Sequence, residues 1–160
     1  MGTRRQGRVI AFQTLYRYDC TEESLERLLD FSWLSEDAGG RQSSAVDTGS
    51  RGARGVSRSA DESLEFATLL ITGTMENLGS IDSAIKNQLE HWDFKRLARV
   101  DLAILRISVY CLLYQKSIPA TVTIDEAIDI AKEFGSDDSY RFVNGVLDGI
   151  RKSRESVSAT

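Results

Sequence analysis

One proline, one histidine and two cysteines in 160 residues leave little room for several kinds of chemistry. A zinc site needs three or four cysteine, histidine or carboxylate ligands at short spacings, whereas Cys20, His91 and Cys111 stand far apart with no CxxC pair. Two isolated thiols suit a reducing compartment, where buried free cysteine is ordinary. No stretch alternates apolar and polar residues with period two, so no strand is expected. The GxSxG, Walker, GxGxxG and HExxH patterns are all missing. The paired acids that remain read as a wet helix face (Asp125, Glu126) and a helix cap (Asp137, Asp138). An enzyme, a metal site and a cofactor are therefore not expected. The N-terminal arginines precede no apolar run of signal-peptide type, and no run reaches the roughly twenty apolar residues that span a bilayer. A cytoplasmic protein with no membrane association is the expectation.

What is present is a composition of ordinary globular kind, 41% hydrophobic and 28% charged, distributed with helical period. Val100 to Tyr114 is apolar on nearly every side and broken only by Asp101, Arg106 and Ser108. Such a helix must be covered by other helices, which makes it the central post of a small all-α protein. Around it the spacing predicts a helix over 4–18 with Val9, Phe12 and Tyr16 facing in, and a second over 22–34 capped by Thr21. A third runs over 61–78, opened by the Ser59-x-x-Glu62 capping box and closed by Gly79, and a fourth over 81–90 is capped by Ser80. A turn of helix at Asp93 leads into the central helix, which ends before Pro119. The helix carrying Ile124 to Phe134 is stopped by Gly135, and a last one starts near Asp137 to Ser139. His91, at a helix end with no second ligand in range, reads as a partner of the helix dipole. About seven helices in a compact bundle result.

Between the second and third helices, residues 35–60 hold five glycines and six serines with no period of either kind. Such a segment buries too little to offset its ordering entropy and reads as a flexible insertion. The chain accordingly divides into N-terminal helices over 1–34, the insertion over 35–60, and the remaining helical body over 61–155, in one compact domain. Net charge is −4, yet the first eighteen residues carry Arg4, Arg5, Arg8 and Arg17 and no acid. Three cations at a helix N-terminus oppose its dipole by a few tenths of a kcal/mol each, so helix stability does not explain them. A helix end of this kind suits phosphate, because amide groups and guanidinium groups point the same way. A frayed, solvated basic terminus is the competing reading, and charge alone leaves both open.

Three stretches taken together carry a resemblance: RRQGRVIAFQTLY (Arg4 to Tyr16), RVDLAILRISVY (Arg99 to Tyr110) and IDEAIDIAKEFGSDDSYRFVNGVLDGI (Ile124 to Ile150). In this order they resemble the NusB family of bacterial transcription antitermination factors, over nearly the whole chain. The resemblance implies an all-α fold of two small crossed helical bundles and no catalytic role. It implies binding of the boxA element of ribosomal RNA leader transcripts jointly with ribosomal protein NusE, within an RNA polymerase elongation complex that holds other Nus factors. The family's arginine-rich motif falls on Arg4, Arg5 and Arg8, with Gln6 and Gly7 as departures from it. Tyr16 and Phe142 match aromatics near bound RNA, Asp138 an acid whose charge tunes RNA affinity, and Asp101 an acid on the NusE-facing surface. On the residues alone, Tyr16 and Phe142 are equally core side chains, Asp138 a helix cap, and Asp101 a charge in a solvent sliver between helices. The family offers no role for residues 35–60. Two alternative functions remain: a scaffold that binds protein only, and the RNA-binding part of a ribosomal RNA methyltransferase, for whose S-adenosylmethionine domain this chain is too short.

Overall fold

The computed structural model describes residues 2–38 and 53–158, with side chains described within 2–35 and 60–157. Among the described residues all regular structure is helical. The order is α1 (Thr3–Cys20), α2 (Leu25–Leu28), α3 (Trp33–Ala38), α4 (Ala53–Glu76), α5 (Leu78–Asn87), a 3-10 turn (Phe94–Arg96), α6 (Arg99–Tyr114), α7 (Ala120–Phe134) and α8 (Ser139–Ser158). No helix of the described residues is long and apolar enough to cross a membrane.

Ten of the sixteen residues of α6 are buried, so this helix is covered on nearly every side, as its composition requires. The remaining helices form two small groups around it: α1 pairs with α4, α7 pairs with α8, and both pairs and α5 pack on α6. The α1–α4 contact is close because Gly7 has no side chain. A Cβ there would lie 2.8 Å from the Phe66 ring and 2.9 Å from the Ser63 carbonyl oxygen. Gly73 on α4 plays the same part beneath the Tyr110 ring of α6.

Arg106, the cation inside the apolar helix, is fully engaged. Its Nε and Nη2 form a fork on Asp82 of α5 at 2.9 and 3.0 Å, and its Nη1 reaches Asp19 at the end of α1 at 3.1 Å. One guanidinium thus ties three helices together through charge-assisted hydrogen bonds, whose geometry repays part of the cost of desolvating the charges.

Several helix boundaries differ from those the sequence predicts, each for a local reason. The helix expected over 22–34 is two short ones. Ser24, not Thr21, caps α2 by accepting from the Arg27 amide at 3.3 Å, while the Thr21 hydroxyl turns back to the Arg17 carbonyl at 2.8 Å and closes α1. Phe31 then adopts φ 58°, in the left-handed region no helix interior permits. Its neighbours hold the break: Asp30 accepts from the Ser32 amide at 2.8 Å, and the Trp33 indole donates to the Leu28 carbonyl at 3.1 Å.

Of the insertion expected over 35–60, residues 39–52 lie outside the described residues. Residues 53–60 already belong to α4, so the Ser59-x-x-Glu62 pattern falls inside a helix and not at its start. The next break comes at Asn77, whose side-chain amide donates to the Gly73 carbonyl at 2.8 Å. Gly79 and Ser80 consequently sit within α5 and neither stops nor caps a helix.

Candidate nucleic-acid interface

The three N-terminal arginines of α1 face three different environments. Arg4 is exposed, with its guanidinium carbon 5.6 Å from the centre of the Phe66 ring. Arg8, one turn on, stands 5.4 Å from the same ring, so one aromatic face on α4 receives two cations. Arg8 is only 7% exposed, its Nε has no hydrogen-bond partner, and it lines a tight seam with Phe12, Ile107, Cys111 and Thr123. A guanidinium so placed holds α1 to α4 and α6 and offers little to a phosphate in solvent.

Arg5 turns the other way, toward α7. It donates to Asp129 at 3.3 Å, with Glu133 at 3.7 Å; Glu126, at 4.0 Å, attracts it without a hydrogen bond. The three acids stand at positions i, i+3 and i+7 of one helix face, a spacing that brings them under one side chain. The group is only partly covered, so the ion pairs are of the weak, exchangeable kind.

Further along α1 the seam with α7 becomes aromatic: Phe12 meets Phe134 at 5.0 Å between centroids. One turn beyond, Tyr16 is exposed. Its hydroxyl shares a hydrogen bond with the Cys20 thiol, and this bond with that thiol's charge holds the phenol above its usual pKa, against the pull of Arg99. Arg99, at the start of α6, also donates to the Asp19 carbonyl.

Phe142 lies on α8, eight residues after the end of α7, half-buried against the core and 6.3 Å from the exposed Trp92. Trp92 lies in the short connection between α5 and α6, and Arg99 is the first residue of α6. Tyr16 thus feels Arg99 at the start of α6, while Phe142 meets Trp92 in the connection before that helix. Asp138 is exposed in the turn before α8, where its carbonyl accepts from the Arg141 and Phe142 amides, each at 3.2 Å. The backbone of Asp138 opens the helix, while its carboxylate acts on Arg141 through charge alone.

Asp101 is 8% exposed, with Oδ1 buried and unpartnered. It occupies the first turn of α6, where the helix dipole favours an anion. As placed, it presents little of itself to solvent.

By spacing alone, HWDFKRLAR (His91 to Arg99) is a helix end and a turn of helix that leads into the central helix. Its signal was there to be used: two aromatics interleaved with Lys95, Arg96 and Arg99 against the single acid Asp93. Phe66, the ring under Arg4 and Arg8, left no such mark, because nothing in its own neighbourhood announces a cation fifty-eight residues upstream.

Comparison with known proteins shows the family and the fold. A family model described as the NusB family matches residues 5–152. The transcription antitermination protein NusB of Treponema pallidum is 46% identical over 150 residues, covering 94% of this chain and 93% of that protein. The solved structure of NusB from T. maritima superimposes with a TM-score of 0.69 at 38% identity, covering 95% of this chain and 93% of the other. A crystal structure of antitermination factors NusB and NusE in complex with double-stranded RNA gives a TM-score of 0.71 at 25% identity, covering 94% and 97%.

Proposed function

Since the chain belongs to the NusB family, we propose that it is a cytoplasmic, non-enzymatic transcription antitermination factor that binds boxA RNA of ribosomal RNA leader transcripts together with ribosomal protein NusE. In that role it joins the RNA polymerase elongation complex with other Nus factors and favours processive elongation. The N-terminal helices within 1–34 supply cations, and the far end of the seam supplies aromatic faces. Unpaired RNA is bound by this combination of phosphate contacts and stacking.

The observation that carries the reading is what α1 leaves available along its length: exposed Arg4 over Phe66, Arg5 held only by exchangeable acids of α7, and exposed Tyr16 near Arg99 at the start of α6, with the Trp92–Phe142 pair on the connection before that helix. Asp138 sits at the edge of this surface and lowers its attraction for phosphate. Arg8 contributes from beneath by fixing α1 against Phe66. The NusE-facing surface is assigned to the start of α6, with Asp101 as its buried support.

The test is a double variant, Arg4→Ala with Arg5→Ala, titrated with single-stranded boxA RNA over a range of salt. A charge-assisted contact is worth about 1.5–3 kcal/mol, so affinity falls at least about tenfold. The slope of log affinity against log salt becomes shallower by about 1.4 for two lost phosphates on a single strand. Unchanged affinity and slope would remove the arginines from the site. Titration with NusE and RNA separately and together distinguishes the joint binder, in which each tightens the other, from a protein-only scaffold.

A further inference from the structure

Trp92 leaves 68% of its surface in solvent while its ring tilts against Phe142 at 52°. Beside it opens a depression of about 310 Å³ lined by Lys86, Leu89, Trp92, Asp93, Phe94 and Lys95. That is the lower end of the size of small-ligand clefts. Its acid is committed: the Asp93 carboxylate caps the 3-10 turn by accepting from the Lys95 amide at 3.1 Å. Lys86 carries its ammonium 4.8 Å from the centre of the Phe94 ring, and the Lys95 side chain is exposed. The depression thus combines an open aromatic face, a second ring and two cations, in a chain that is acidic overall.

A protein partner would be an awkward occupant, because interface cores are depleted in lysine. An unpaired nucleotide uses every part: the base stacks on the indole while the phosphates on either side meet the ammonium groups. We infer that Trp92 stacks one unpaired base of the bound RNA, with Lys86 and Lys95 on its flanking phosphates, extending the RNA surface past Phe142 onto the connection between α5 and α6. This inference rests on the RNA-binding reading above.

The chain contains two tryptophans, and the structure separates them as reporters. Trp33 is 4% exposed with its indole N–H bonded to Leu28, so a ligand-dependent change in emission belongs to Trp92. The probe is single-stranded boxA RNA extended by several nucleotides on both sides. Titration is expected to quench the emission of the unaltered protein and to leave that of Trp92→Phe unchanged. Trp92→Ala, at an exposed position whose helicity is checked by circular dichroism, lowers RNA affinity by about 5- to 150-fold. Trp92→Phe, which keeps a ring, retains most of the affinity. Lys86→Ala with Lys95→Ala makes the salt slope shallower by about 1.4.

Wild-type RNA affinity in Trp92→Ala would overturn the inference, as would a variant that loses only the binding of NusE. The Arg4→Ala, Arg5→Ala variant runs alongside. If it loses RNA while Trp92→Ala does not, the inference alone fails; if the unaltered protein binds no RNA, the reading beneath it fails as well.

Discussion

The Arg5 guanidinium donates to the Asp129 carboxylate at 3.3 Å, joining two residues 124 positions apart across the seam between α1 and α7. With Glu133 and Glu126 close by, one cation faces three acids. An RNA phosphate that takes Arg5 must displace a carboxylate already there, so α7 acts as an internal competitor for the strand. The same contact keeps the arginine extended along the seam instead of wandering in solvent.

Asp129→Asn removes the nearest competitor without changing shape. Exposed ion pairs are worth about 0.2–1 kcal/mol, so RNA affinity rises by up to about fivefold at low salt. The gain shrinks as salt screens the charges. Fluorescence anisotropy with labelled boxA RNA measures it; weaker binding would mean that Asp129 orients Arg5 for the strand and does not compete with it.

Gly7→Ala is expected to destabilise the fold, although alanine is the better helix former by about 1 kcal/mol. The new methyl group would meet the Ser63 carbonyl oxygen at 2.9 Å, and backbone does not yield cheaply. Overpacking of this kind costs about 1–3 kcal/mol, leaving a net loss of up to about 2 kcal/mol in a urea titration. Because Phe66 is pushed away from Arg4 and Arg8, RNA affinity falls with it. Stability equal to or above that of the unaltered protein would show that α1 and α4 can part without strain.

The two cysteines should behave as opposites. Burial pushes the Cys111 thiol up to about 11 from 9.0, with Arg8 pulling weakly the other way, whereas Cys20 is exposed. A thiol reagent at neutral pH modifies Cys20 and spares Cys111, and bound RNA slows the reaction by covering neighbouring Tyr16. The folded thiol of Cys111 keeps its proton where the unfolded one loses it. Its contribution is therefore intact below pH 9 and is lost as pH rises toward 11, by about 2–3 kcal/mol in all. The difference in stability between the unaltered protein and Cys111→Ala, followed across that window, isolates the effect; a difference independent of pH would contradict it.

Much of the architecture could be read from residue spacing. Val100 to Tyr114 had to be central because a helix with almost no polar face has nowhere else to go, and α1, α7 and α8 announce themselves by apolar residues three and four apart. Boundaries were less legible. Thr21 and Ser24 are both good caps three residues apart, and which one opens α2 depends on whether Thr21 is already engaged by the Arg17 carbonyl. The left-handed Phe31 carries no sequence mark, since a bulky residue is the least expected there.

By itself, the sequence determined the helical class, the buried post, the positive end on an acidic chain and the three motifs that carry the family likeness. Only the tertiary structure decided what each arginine does. Arg4, Arg5 and Arg8 are nearly indistinguishable as a string, yet one lies open over Phe66, one is clasped by α7 and one is sealed beneath α1. Helical period says which side of a helix a residue occupies, but not which distant helix will cover that side. That is settled by close packing among segments more than fifty residues apart, and it separates a cation that meets solvent from one that holds the fold.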